Sequence, residues 1–269
     1  MLNKTIIAVH ADCLKNDAEL TAWVGENGFV IVDDLRHPDC AEFSVLLRDD
    51  QHRLSLFKVE NKQKMQVCVD FVGGTQAYRR QQASVKNEML ARALGLKANS
   101  DKPLWVIDAT AGFGRDSMLL ASLGCVVTLV ERSRLMCFLL KDGMQRAAHL
   151  PELLPILSRM QLLPMDACDY LTALNQSKTA HDSRPDAIYL DPMFPASKNT
   201  AQVKKDMRIL REVLDEEDDG DLLLRAALSS GVSRVVVKRP RKAEHLGARK
   251  PNHSVDGQSS RFDVYLSPQ

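Results

Sequence analysis

Val106-Ile107-Asp108-Ala109-Thr110-Ala111-Gly112-Phe113-Gly114-Arg115-Asp116 decides the fold. The apolar run over 104–108 predicts a buried strand, the glycines a tight turn, and 116–123 a helix that Gly124 closes. Glycine lets a backbone bend sharply and approach a ligand closely. In open α/β sheets, ligands bind beyond the carboxyl ends of the strands. The turn departs from a dinucleotide fingerprint, because Ser117 stands where a third glycine would be. Asp116 opens the helix at the place where a pyrophosphate would dock. A carboxylate there repels phosphate but accepts hydrogen bonds from amines and hydroxyls. Glu131 ends the next strand, close to the offset of about 20 residues expected of a ribose-binding acid. Asp108, Gly112, Gly114, Asp116 and Glu131 therefore suit S-adenosylmethionine, which has ribose hydroxyls and an ammonium group but no phosphate. Asp166, after the third strand, either accepts the adenine amino group or caps the helix that follows.

Outward from this turn, strands and helices alternate. Strands are predicted at 104–108, 125–130, 160–164, 187–190, 235–237 and 262–266, with helices at 116–123 and 135–149. That rhythm predicts a Rossmann-like α/β fold with a doubly wound, mostly parallel sheet. Upstream, 6–9, 29–32, 43–47, 54–59 and 65–71 are short runs rich in β-branched and aromatic residues, with a helix at 17–26. Residues 75–94 predict one helix that Gly95 caps. The expected organisation is a small β-rich domain over 1–71, a connecting helix within 72–101 and a catalytic domain over 102–269.

Hydrophobic residues make up 45% of the 269, enough to exclude a disordered chain. A net charge of +1 leaves a nucleic-acid partner open, since local clustering matters more than the total. The six cysteines form no C-x-x-C pair and are expected to be reduced. The seven histidines lack ligand spacing, so no metal is expected. No run reaches the ~18 apolar residues of a membrane span, and the N-terminal apolar stretch is too short for a signal peptide. A cytoplasmic protein without membrane contact is expected. The seven acids between Glu212 and Asp221 read as a solvated helix end and loop.

The fourth strand runs into Tyr189-Leu190-Asp191-Pro192-Met193-Phe194-Pro195, which resembles the Asp-Pro-Pro-Tyr/Phe motif of amino-directed methyltransferases. Asp191 would accept hydrogen bonds from an exocyclic NH₂, aim its lone pair and hold developing charge. Phe194 would stack on a base drawn out of its helix, and the prolines would stiffen the loop. Tyr78-Arg79-Arg80 and Lys238-Arg239-Pro240-Arg241-Lys242 are basic clusters suited to phosphates, with Lys204, Lys205 and Arg208 as an extension.

Taken in order, these motifs resemble the ribosomal RNA small subunit methyltransferase J family. The resemblance is carried by Asp70-Phe71-Val72-Gly73-Gly74, Tyr78-Arg79-Arg80, the turn at 108–116, Glu131-Arg132, the loop at 189–195, Val203-Lys204-Lys205, Val235 to Pro240 and Arg261-Phe262-Asp263. It spans about residues 70–266 and departs most around Asp166; Phe113 also replaces an expected leucine. The resemblance implies a class I S-adenosylmethionine-dependent methyltransferase acting on the exocyclic N2 amine of a guanine in 16S ribosomal RNA, free or in the small ribosomal subunit. It implies cofactor contacts at Arg115, Asp116, Glu131, Arg132, Asp166, Ala167 and Asp191; from the basic clusters and the loop after the fourth strand, RNA contacts are expected at Arg79, Arg80, Pro192, Lys238 and Arg239. The motif at Asp191 alone equally admits a methyltransferase acting on DNA or on a protein glutamine. A non-catalytic RNA-binding module is the remaining reading; retention of Gly112, Gly114, Glu131 and Asp191 together speaks against it.

Overall fold

The structure, a computed structural model, describes residues 7–34, 44–60, 63–98, 100–176, 184–192, 213–214 and 219–267. They fall into two units, one of Met1–Val69, Phe138–Gly143 and Pro195–Glu217, the other of Asp70–Cys137, Met144–Phe194 and Asp218–Gln269.

The first unit holds strands β1 (Ile7–His10), β2 (Val30–Val32), β3 (Ser44–Arg48), β4 (Leu54–Glu60) and β5 (Gln63–Val67). They form one sheet in the order β2-β1-β3-β4-β5, with β1 parallel to β2 and β3 and the rest antiparallel. Helix α1 (Ala18–Asn27) starts at Asp17, whose carboxylate accepts the Leu20 amide at 2.9 Å, and stops at Gly28 in the left-handed region. It buries Leu20, Trp23 and Val24, and Trp23 meets Phe29 and Phe138 with ring centroids 5.0 and 5.2 Å apart. Asp142 accepts from Arg48 at 2.9 Å and from the Leu54 amide at 3.1 Å. Beside it, a Cβ on Gly143 would meet Val69 Cγ1 at 2.5 Å and the Val69 carbonyl at 3.1 Å. Gly143→Ala is expected to cost about 1–3 kcal/mol through overpacking. A thermal melt checks this, and an unchanged midpoint would show that Val69 yields freely.

The second unit opens with α2 (Gly74–Gln82) and α3 (Met89–Leu94), where one helix was expected. Ala83 is extended, at φ −68° and ψ 135°. The Ser84 carbonyl and hydroxyl both accept from the Asn87 amide. Local bonding by such side chains competes with the helical ladder, and here it wins. Gly95, at φ +77°, does cap α3.

A seven-stranded sheet follows: β6 (Trp105–Asp108), β7 (Val126–Glu131), β8 (Met160–Pro164), β9 (Ala187–Leu190), β10 (Arg234–Pro240), β11 (His253–Asp256) and β12 (Ser260–Leu266). The order is β11-β12-β10-β9-β6-β7-β8. Strands β8, β7, β6, β9 and β10 run parallel, and β12 is antiparallel to both its neighbours. Helices α4 (Arg115–Ser122), α5 (Arg134–Ala147), α7 (Ala167–Gln176) and α8 (Gly220–Ser229) lie between successive parallel strands, and a short α6 (Leu154–Leu157) precedes β8. Ile107, Ile188, Leu190, Val235 and Val237 from the sheet pack with Leu171 of α7 and Leu223, Leu224 and Ala227 of α8. This is the doubly wound Rossmann-like fold. After β8 the chain crosses back to start the other half of the sheet at β9, so the switch point lies between the neighbouring strands β6 and β9, and an open α/β sheet gathers its ligands at such a point.

Candidate active site

The carboxyl ends of five parallel strands bring together residues far apart in the chain. Strand β6 delivers Asp108, which is buried; its Oδ1 accepts the Thr110 amide at 3.2 Å and its Oδ2 the Ser117 hydroxyl at 2.5 Å. Burial pushes this carboxyl up to about 7. Asp108 therefore shapes the turn from below and does not present its oxygens to a ligand, contrary to the expectation of a direct contact. Gly112 and Gly114 have φ of +50° and +66°. A Cβ on Gly112 would meet nothing nearer than the Thr110 carbonyl at 3.8 Å, so the turn's face is open. The Gly112 amide donates to Glu131 Oε2 at 2.9 Å, and the Ser133 amide to Oε1 at 2.8 Å. Backbone donors thus fix the Glu131 carboxylate at the end of β7.

Asp116 sits at the middle of a charged network. Its Oδ1 accepts from Arg79 at 3.2 Å, and its Oδ2 from the Tyr189 hydroxyl at 2.7 Å and the Lys238 ammonium at 3.0 Å. Burial pushes its carboxyl up, but Lys238, Tyr189 and Arg79 together hold it below the usual range. Lys238 also donates to Asp191 Oδ2 at 2.8 Å. Burial outweighs that ammonium at Asp191, whose carboxyl is raised. The Asp191 amide donates to the Thr110 hydroxyl at 2.7 Å, tying the β9 loop to the β6 turn.

Other expected residues are placed differently. Asp166 Oδ1 accepts the Cys168 and Asp169 amides at 2.8 and 3.2 Å, which is helix capping, while Ala167 is buried in the core. Arg115 is exposed, with its guanidinium 4.6 Å from the Phe113 ring centroid. Arg132 pairs with Asp219. Pro192 lies against Gly220, at 3.6 Å from where a Cβ would stand. Phe194, Lys204, Lys205 and Arg208 lie outside the described residues.

Four of the basic residues expected on phosphates have partners within the protein, while Arg241 and Lys242 are exposed. Arg79 is bound to Glu88 and Asp116, and Arg80 donates to the Phe71 carbonyl. Lys238 is held between two carboxylates, and Arg239 is buried with its guanidinium on the Glu244 carbonyl at 3.0–3.1 Å. Successive strand residues point to opposite faces, so Lys238 and Arg239 serve different sites. Thr110, Tyr189 and Glu88 were not anticipated. Thr110 and Tyr189 stood inside the two quoted motifs, but nothing in the spacing showed that each bonds to the other motif.

An open, glycine-lined turn ringed by Asp116, Glu131 and Asp191 fits a cationic, phosphate-free nucleoside. Gly112→Ala is expected to weaken S-adenosylmethionine binding at least tenfold. The methyl would enter the open face that the cofactor must approach, and the left-handed backbone would cost about 1–2 kcal/mol of stability for a residue with a Cβ, favouring a rearranged turn. Calorimetric titration checks this; equal affinity would move the cofactor off the turn.

Comparison with known proteins agrees with this geometry. A family model described as "Putative SAM-dependent methyltransferase" matches residues 31–267. The ribosomal RNA small subunit methyltransferase J of Thioalkalivibrio sulfidiphilus is 46% identical over 218 residues, covering 81% of this chain and 83% of that protein. The protein of the same name from Pseudomonas aeruginosa is 40% identical over 267 residues, covering 98% and 97%. A crystal structure of a SAM-dependent methyltransferase from Neisseria gonorrhoeae is 32% identical, covers 97% of this chain and 95% of that one, and superposes with a TM-score of 0.68. S-adenosylmethionine is the cofactor, and the chain belongs to the ribosomal RNA small subunit methyltransferase J family.

Proposed function

We propose that this chain methylates the exocyclic N2 amine of a guanine in 16S ribosomal RNA, free or within the small subunit, in the cytoplasm. The observation that carries the reading is the bond from the Asp191 amide to Thr110. It joins an amine-binding loop to the cofactor turn at the crossover of the sheet. The family's name supplies the RNA, and the acid after β9 supplies the preference for an amine.

When bound, the cofactor supplies a methyl group on a positively charged sulfur. Asp191 accepts an N–H of the target amine, which aims the nitrogen lone pair and stabilises the positive charge that grows on nitrogen. Its raised proton affinity makes it a better acceptor for the proton that nitrogen must finally lose. Glu131, held by two amides, binds the ribose. Asp116 contributes negative potential toward the cofactor's cationic end.

Two measurements test this. Saturating S-adenosylmethionine should raise the melting temperature, by the linkage of binding to stability. Nucleosides from ribosomal RNA of a strain lacking the gene should lose N2-methylguanosine at one 16S position, and the gene should restore it. An unchanged nucleoside profile would overturn the RNA assignment.

A further inference from the structure

The register of β9 and β10 pairs Val237 with Leu190, so the residues that follow, Lys238 and Asp191, are neighbours at the carboxyl edge of the sheet. The Lys238 ammonium lies 2.8 Å from Asp191 Oδ2 and 3.0 Å from Asp116 Oδ2. Both side chains of the Lys238–Asp191 pair are partly exposed, at 30% and 39%, so a ligand can reach the bond between them.

We propose that Lys238 is a stand-in for the target amine. Its ammonium fills the acceptor oxygen of Asp191 until the substrate's amine displaces it. This rests on the assignment of Asp191 as the amine's acceptor. The chemistry of the two donors is alike, since both are N–H groups seeking one carboxylate oxygen. A carboxylate left bare in this half-buried place would be unfavourable, and the ammonium removes that cost.

Leaving is inexpensive for Lys238, because it keeps Asp116. Asp116 in turn is held by Tyr189 at 2.7 Å and Arg79 at 3.2 Å, so this anchor does not move when Asp191 is released. The lysine therefore swings between one partner and two and is never stranded as an unpaired buried charge. It acts as a positioning residue. It sets how strongly Asp191 favours an incoming amine over the resting state, and a donor too weak to displace an ammonium is rejected. The inward turn of Lys238 also removes it from the phosphate contacts.

The test uses the full-length protein and two ligands that differ at one place. Sinefungin carries an amine where the cofactor carries its methylated sulfur; S-adenosylhomocysteine is neutral there. In Lys238→Met the competitor is gone, and the affinity ratio of sinefungin to S-adenosylhomocysteine should rise on the order of tenfold, as when a nine-tenths-populated closed state is removed. Lys238→Arg should keep the wild-type ratio. If the methionine variant does not fold, Lys238→Ala, which likewise leaves no N–H donor beside Asp191 while Tyr189 and Arg79 still hold Asp116, carries the same measurement. On ribosomal RNA, Lys238→Met should lower KM. An unchanged ligand ratio would overturn the stand-in, as would a raised KM with a shallower salt dependence, which marks a phosphate contact. Wild-type protein that fails to methylate ribosomal RNA would sink the proposed substrate alone, and the ligand ratio would still decide the role of Lys238.

Discussion

Replacing Asp191 with alanine is expected to lower kcat for methyl transfer by about two to three orders of magnitude, the usual loss when one preorganised electrostatic partner is removed. The fold should survive. The Asp191 side chain is 39% exposed, and its backbone bond to Thr110 does not need the carboxylate. Lys238 keeps Asp116 as a partner in the variant. Asp191→Asn retains an acceptor oxygen without the charge and should fall between the two. The wild-type rate should decline as pH drops through the carboxyl's raised value, because the ionised form does the work. That acid limb should therefore lie above the ordinary aspartate value of about 3.9, and Asp191→Asn should lack it. Single-turnover rates across pH decide the matter. A rate for Asp191→Ala within threefold of wild type would remove Asp191 from the chemistry.

The largest loss of stability is expected from Asp263→Ala. Asp263 is fully buried on β12. Arg261 donates Nε to its Oδ1 at 2.9 Å and Nη2 to its Oδ2 at 3.1 Å; the Ser254 hydroxyl adds a bond of 2.6 Å, and His245 Nδ1 lies at 3.0 Å. Arg261 Nη1 reaches the carbonyls of Arg241 and Ala243 at 2.8 and 2.7 Å, pinning the loop after β10. Alanine would strand a buried guanidinium, at a cost of about 3–5 kcal/mol. The melting temperature should drop by on the order of 10 °C for a domain of this size. Arg261→Met with Asp263→Leu should recover part of the loss, since apolar replacements leave no charge behind. Burial raises the Asp263 carboxyl, but the bonds from Arg261, Ser254 and His245 lower it further. Its folded value thus lies below its unfolded one. The contribution is full above about pH 4 and fades as pH falls through the lower folded value. Calorimetry on the single and double variants checks both statements; a single variant as stable as wild type would show the guanidinium finding water.

The architecture was legible because buried parallel strands read as unbroken apolar runs bounded by turns. Residues 160–164 and 187–190 were bounded correctly for that reason. Strand β11 escaped because His253-Ser254-Val255-Asp256 is a short, polar edge strand with little apolar signal. The positions of Glu131 and Asp191 at strand ends, and of Asp116 in the first turn of α4, were legible too, since topology alone puts them there. The directions of charged side chains were not. Lys238 and Arg239 stand in one basic run, yet one meets carboxylates contributed by residues 116 and 191 and the other a carbonyl at 244. A run of like charges suggests a surface. Only the tertiary fold shows that these two members have private partners, while Arg241 and Lys242 stay exposed.

Among the described strands β12 comes last in sequence but lies inside the sheet, between β10 and β11. Translation therefore delivers Asp116, Asp191 and Lys238 before the strand that secures β10 from the side. With synthesis at about 5–20 residues per second, the roughly two dozen residues after Lys238 mean that for a second or more the nascent protein holds every ingredient of its site without a closed sheet to hold them still. A nonsense change near residue 258 should leave an open-edged sheet liable to pair with its own kind.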